Sequence, residues 1–403
     1  MQPPTAPSIT LFLLTLATLT LFPPPASASH KNTTLPPLPK SAHASLLKRW
    51  YGVKPLHAHS AVVGGWGPWP IMCPTLPSQT QPIRYCFKDA RSATTLQPIV
   101  DQAVAKWAHA LHPASSLQIG LDHAGAKVCS GPAVRADALV ISDESRPEDP
   151  QWKWEECDSQ STVGYNYGSD ERARHTLAFC HLKPGDESAT EAKAVQVMMH
   201  ELGHVMGLQH EHQRPDRDET LTYVCKNLEA YEQGVKDAEY DVHALYDDDL
   251  ALKDRITLIC LDAQSATVYL PDALAFIRGD NMQVDRDDER WPDYAAGGPL
   301  DVDSIMIYDS NLAAKNPDAG VSGWVMYQTN GKKPVWMGGS QDASKTSISS
   351  GDVERVKQLY PLRAAGGNDK RDQADWGQQA LRVRIRDSFE MIVEPPRTME
   401  REL

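Results

Sequence analysis

Two histidines four residues apart, His200 and His204, enclose a carboxylate in the run His200-Glu201-Leu202-Gly203-His204. On a helix this spacing stacks both imidazoles on one face, within reach of a single metal ion, and sets Glu201 beside a ligand. The pattern continues. Gly207 permits the sharp left-handed exit by which a helix turns back, and His210 follows where a third imidazole can return to the ion. These two further positions lower the odds of a chance match by about 400-fold at uniform residue frequencies. Three neutral histidines suit zinc and leave a coordination position open, as a catalytic site requires and a closed structural site does not. Zn2+ is therefore the expected cofactor, with His200, His204 and His210 as its ligands. Zinc lowers the pKa of a bound water to about 7, and Glu201 is placed to act as general base, a role worth about 10² to 10⁴ in rate.

His200 through His210 reads HExxHxxGxxH, the metzincin pattern. The continuation Glu211-His212-Gln213-Arg214-Pro215-Asp216-Arg217-Asp218 resembles the astacin branch of that clan. Ser304-Ile305-Met306-Ile307-Tyr308 is similar to the SxMHY turn of astacins, with Ile307 in place of a histidine that is not a ligand. Ser349-Ser350-Gly351-Asp352 with Leu359-Tyr360 resembles their closing helix, so the likeness runs from about Ile83 to Leu362. The resemblance implies an astacin-like zinc metalloprotease of α+β class. Its metzincin-type architecture would have two subdomains: a twisted mixed sheet with the active-site helix, and an irregular C-terminal part. It also implies protein or peptide substrates, Met306 beneath the metal, and Tyr308 as an extra, movable zinc ligand that helps stabilise the oxyanion. Arg214, Asp216 and Arg217 read as ion-pairing braces. The chain departs from the family in its long gap from His210 to Met306, in cysteine positions that do not map onto the family's two disulfides, and in having no FxGD element in residues 30 to 80.

The elements that must carry these residues are legible from periodicity. Thr190 to Met206 is the strongest helix, with Val195, Met198, Met199, Leu202 and Met206 on one stripe and Gly207 placed to end it. Upstream, strand character at Ile83–Phe87, Leu117–Leu121, Ala138–Ser142 and Thr176–Phe179, with an amphipathic helix over Leu96–Leu111, predicts a layered α and β core. Ser304–Tyr308 reads as a short apolar turn and Gly351–Tyr360 as a final helix capped by Ser350. Between His210 and that turn, residues Asn227 to Asp301 hold 18 acidic residues against 6 basic, a pattern read as a solvated insertion over about 228–301. Asp280 to Asp285 lacks the central glycine of an EF-hand loop.

The whole chain has 403 residues, 40 Lys and Arg against 53 Asp and Glu, and a net charge of −13. That balance argues against nucleic acid, whose phosphates need a cationic surplus. Ile9 to Phe22 is apolar but too short to span a bilayer. Followed by three prolines and Ala26-Ser27-Ala28, it reads as a signal peptide over residues 1–28, so a secreted, extracellular protein without a membrane anchor is expected. Seven cysteines with no CxxC pair then imply two or three disulfides and a leftover thiol, with Cys225–Cys260 as a candidate bridge. Residues 29–80, rich in Pro and Gly, read as pro-segment and linker. They contain the glycosylation pattern Asn32-Thr33-Thr34 and a dibasic Lys48-Arg49 at which a zymogen could be cut. Residues 81–362 would be the catalytic domain and 363–403 a charged tail without a core. A monomer is expected. The alternative from another class is a catalytically silent secreted protein that holds zinc and works through its acidic surface.

Overall fold

The computed structural model describes residues 50–53, 66–70, 81–112, 115–121, 127–130, 134–146, 149, 157–180, 190–240, 245, 250–279 and 294–362. The signal-like run, Asn32, Lys48-Arg49, Cys73, Asp280 to Asp285 and the tail beyond Leu362 lie outside the described residues. Two pieces of the segment read above as linker pack on the folded unit. Strand β1 (Trp50–Val53) buries Val53, and β2 (Trp66–Gly67) leads into Trp69, which is also buried. The indole of Trp69 donates to Val205 O at 2.7 Å and so anchors this piece to the end of the zinc-motif helix.

Strand β3 (Gln81–Phe87) is followed by helix α1 (Ala90–Leu111), strands β4 (Leu117–Leu121) and β5 (Leu139–Asp143), then short β6 (Gln160–Ser161), β7 (Tyr165–Asn166) and β8 (His175–Phe179). Five of these strands form one sheet in the order β4-β3-β5-β8-β6. Its first four strands are mutually parallel and β6 runs antiparallel to β8 at the edge, so the sheet is mixed, as expected of the α+β class. Helix α1 starts at Ala90 rather than at the first apolar repeat near Leu96, because the Asp89 side chain caps it by accepting from Ser92 N at 2.7 Å. One face of α1 (Leu96, Ile99, Val100, Ala103, Trp107, Leu111) is buried in a core shared with the sheet and with helix α2 (Glu191–Val205). Each large side chain so buried contributes roughly 1.5 to 3 kcal/mol. The Trp107 indole also donates to Met199 O at 3.0 Å, joining α1 directly to α2.

Beyond α2 the chain is less regular. Strand β9 (Leu221–Tyr223) precedes the acidic segment, which folds as helices α3 (Tyr231–Tyr240), α4 (Leu252–Leu261) and α5 (Ala263–Tyr269) and a 3-10 turn at Pro271–Ala275. Read as a solvated insertion, it in fact encloses a separate apolar core: Leu228, Ala238, Ile259, Ala266, Leu270, Phe276 and Ile277 are fully buried. Charge dominates its composition, but Ala238, Ile259 and Ala266 fall on the inner faces of three short helices, and Leu228, Leu270, Phe276 and Ile277 lie buried in the segments before and after them. Strands β10 (Tyr294–Gly297) and β11 (Met326–Gln328) pair with β1 and β9 respectively. The closing helix α6 (Ser350–Leu359) is capped by Ser349, one residue earlier than predicted. Ser349 and Asp352 form a reciprocal capping box. Disulfides join Cys86 to Cys129, Cys157 to Cys180 and Cys225 to Cys260. The last is the pair singled out from the sequence.

Candidate metal centre

Helix α2 forms where it does because Thr190 caps it, accepting from Lys193 N, and Glu191 sits in the first turn against the helix dipole. His200, Glu201 and His204 are all buried on it. Gly207 leaves the helix at φ +96°, a conformation that disfavours a side chain, and carries the chain back to His210. His210 Nε2 then lies 3.1 Å from His200 Nε2 and 3.0 Å from His204 Nε2. Each Nδ1 meets an acceptor: Ile305 O at 2.8 Å for His200, Leu208 O at 2.9 Å for His204 and Gln213 Oε1 at 2.9 Å for His210. A carbonyl oxygen only accepts, so Nδ1 carries the hydrogen and Nε2 a lone pair. Three lone pairs converging on one point repel unless a cation lies between them, and this donor set of three neutral imidazoles fits zinc. Burial also opposes protonation of the rings. It lowers His204 to about 4 and holds His200 and His210 well below the usual histidine range, with the neighbouring imidazoles adding to the effect. Among the described residues this is the one group of three or more His, Cys, Asp or Glu side chains arranged to hold a metal ion.

Met306 is buried below the ligands, and its position explains a glycine within the motif. A Cβ at Gly203 would meet Met306 Sδ at 2.4 Å, so the helix surface must be bare where the thioether packs. Tyr308 stacks in the same cluster, its ring 4.4 Å from His210 and 4.5 Å from His212. Burial raises its phenol above the usual tyrosine range, and the negative charges of Glu201 and Asp158 raise it further. Glu201 is itself pushed up to about 7 by burial, partly offset by the Ser161 hydroxyl, which donates to its Oε2 at 2.7 Å. All six residues singled out by motif and resemblance, His200, Glu201, His204, His210, Met306 and Tyr308, thus meet in one place.

The continuation of the motif braces them. Buried Arg214 donates to Glu211 Oε1 at 3.0 Å and to Asp216 Oδ2 at 2.7 Å, as ion-pairing residues should. Glu211 Oε1 also accepts from Asp301 N at 2.9 Å. Burial pushes its carboxyl up to about 7 against the pull of Arg214. Arg217 works differently: its buried guanidinium reaches out to the exposed Asp218, and its other contacts are to the carbonyls of His212 and Phe276. Three contributors escape a reading of the sequence. Ser161 lies on a strand of two residues, too short for alternation to mark it. His212 and Gln213 occupy positions of the signature that any residue can fill, and nothing local shows that they touch the site.

A buried three-histidine centre with an adjoining carboxylate, carried on helix α2 and the turn after it and packed against Met306, has the donor set of a zinc site. Residues 188–246 match the family model described as Astacin, a peptidase family. Bone morphogenetic protein 1 of Xenopus laevis is 25% identical over 170 residues, 42% of this chain and 16% of that protein, so the chain spans less than a fifth of this relative's length. Among solved structures, high choriolytic enzyme 1, a hatching enzyme zinc-protease from Oryzias latipes, aligns with a TM-score of 0.41 and 12% identity, over 73% of this chain and 95% of that one. Myroilysin aligns with a TM-score of 0.34 and 15% identity, over 73% and 96%. Residues 188–246, which carry the three histidines, are thus similar to the astacin peptidases.

Proposed function

We propose that this chain is a secreted zinc endopeptidase that hydrolyses peptide bonds with Glu201 as general base. Zinc held by His200, His204 and His210 would supply Lewis-acid polarisation of the scissile carbonyl and of water. Glu201 takes the proton of the attacking water and returns it to the leaving amine. Ser161, donating to Oε2, holds the carboxylate in one orientation. Tyr308, whose burial keeps the phenol protonated, can donate to the developing oxyanion. Among the described residues strand β6, which carries Ser161, is an edge of the sheet, and an extended peptide pairing along it can present a carbonyl near Glu201.

The observation that carries this reading is the convergence of three imidazole Nε2 atoms, each with its Nδ1 on an acceptor. Secretion is supported by three disulfides and by the signal-like N-terminal run, with residues 1–28 removed and 29–80 at least partly a pro-segment. Among the described residues no helix is long and apolar enough to cross a membrane. The test is casein cleavage by the processed protein, with and without o-phenanthroline. Cleavage should stop with the chelator and return on adding zinc, and absence of any chelator-sensitive cleavage favours the silent zinc-holding protein instead.

A further inference from the structure

The acidic insertion reaches the metal centre through three consecutive backbone carbonyls. Its 3-10 turn Pro271–Ala275 presents Leu274 O and Ala275 O to Gln213 Nε2, at 3.1 and 3.3 Å, and Ala275 O to His212 Nε2 at 2.8 Å. The next carbonyl, Phe276 O, accepts from Arg217, and Gly279 N closes the contact on Gln213 O at 2.7 Å. Behind the turn, Ala273, Phe276 and Ile277 are fully buried in a core that the insertion shares with Ala314 and Val325, and that also holds Cys260 of the Cys225–Cys260 bridge.

The chemistry of these contacts runs one way. Carbonyl oxygens only accept, so the Gln213 amide must turn its NH2 toward the insertion and its Oε1 toward His210. Oε1 in turn only accepts, so it selects the His210 tautomer with hydrogen on Nδ1 and a lone pair on Nε2, the form that can bind a metal. An amide free to flip would offer NH2 instead and favour the opposite tautomer. His212 makes a parallel link. Its Nε2 hydrogen goes to Ala275 O, which leaves Nδ1 to accept from Tyr308 N at 3.3 Å.

We propose that the helical insertion is part of the active site, selecting the metal-binding tautomer of His210 through Gln213 and seating Tyr308 through His212. Gln213 and His212 are positioning residues, and the insertion's turn is what orients them. This rests on the zinc reading of the three histidines.

The test uses the full chain, stripped of metal and titrated with zinc against a competing chelator. Gln213→Ala should weaken zinc binding by about 10- to 100-fold, the usual effect of losing a hydrogen-bond partner behind a ligand. Gln213→Glu keeps an acceptor toward Nδ1 and should bind zinc more tightly than Gln213→Ala, but more weakly than the native chain, because its second oxygen faces Leu274 O and Ala275 O. Opening the Cys225–Cys260 bridge with a C225S/C260S pair should weaken zinc binding several-fold in the native background and leave it unchanged in the Gln213→Glu background. In the metal-free protein, ¹⁵N shifts of the His210 ring should report the Nδ1–H tautomer in the native chain and a mixture in Gln213→Ala. Equal zinc affinity in the native and Gln213→Ala proteins overturns the proposal, as does equal weakening by Ala and Glu with an unchanged tautomer. If the bridge variant does not fold, the Ala and Glu comparison still decides. Failure of the native chain to bind zinc would instead refute the functional reading on which the proposal rests.

Discussion

Gly207 is the hinge on which the third ligand depends, and replacing it by alanine separates two physical effects. The first is backbone strain. At φ +96° an L-residue is held in a sparsely populated region, which costs about 1 to 3 kcal/mol. The second is overlap: a Cβ there would lie 2.6 Å from Cγ2 of Val53, which is itself buried. Overpacking of this kind costs about 1 to 3 kcal/mol more. Val53→Ala alone removes two buried methyl groups, also at about 1 to 3 kcal/mol. In the double variant the overlap is gone and only strain and the lost methyls remain. Its destabilisation should therefore be smaller than the sum of the single effects by about 1 to 3 kcal/mol, a coupling well above the scatter of independent sites. Urea unfolding of the metal-free proteins at fixed pH measures the cycle, and zinc titration of each variant shows whether relieving the overlap also returns His210 toward its ligand position. Additive losses would show that Val53 does not press on this turn and would refute the overlap.

Three other outcomes follow from the site. Glu201→Gln should lower kcat by about 10² to 10⁴ while zinc affinity stays within a few-fold, because the base is lost and the ligands are untouched; parallel kinetics and metal titration check this. Arg214→Met leaves the buried Glu211 carboxylate without its cation and should lower stability by about 3 to 5 kcal/mol in chemical unfolding, whereas an unchanged midpoint would mean that the pair contributes nothing. Asp352 accepts from the Ser304 hydroxyl at 2.6 Å and from Ile305 N at 2.9 Å, yet burial raises its carboxyl from 3.8 to about 6. Between those values the folded state binds a proton that the unfolded state has released, so this group's contribution to stability falls as pH rises from about 4 to 6. In Asp352→Asn the amide oxygen can take the backbone N–H groups and the NH2 can donate to Ser304. Stability curves of the two proteins should converge on acidification through that window and differ by a constant above it, and parallel curves would contradict the assignment.

How far the sequence discloses this molecule depends on the range of the interaction involved. The ligand helix is legible because every signal that makes it is local: the Thr190 cap, the apolar stripe, the glycine exit and a histidine spacing matched to the helical repeat. Four of the five strands of the central sheet are legible for the same reason, while the edge strand β6 is too short to show a pattern. What fails to appear is anything decided by a partner far along the chain. Ser161 bonds to a carboxylate 40 residues away, and Gln213 to carbonyls 61 and 62 residues away. Val53 is likewise buried against Gly207 in a core cluster that includes Leu359, which its own Pro- and Gly-rich surroundings do not announce. The acidic segment is the sharpest case. A net charge is a property of composition and says how a surface meets water, whereas the three carbonyls that face Gln213, His212 and Arg217 belong to the backbone and leave no mark on composition. A backbone acceptor is available at every residue, and only the fold of α3 to α5 decides which three are aimed at the motif. Substitutions on the insertion's surface should therefore be tolerated freely while changes to its buried core, such as at Ile259 or Phe276, act at the metal centre, a division that no count of charges along the segment would produce.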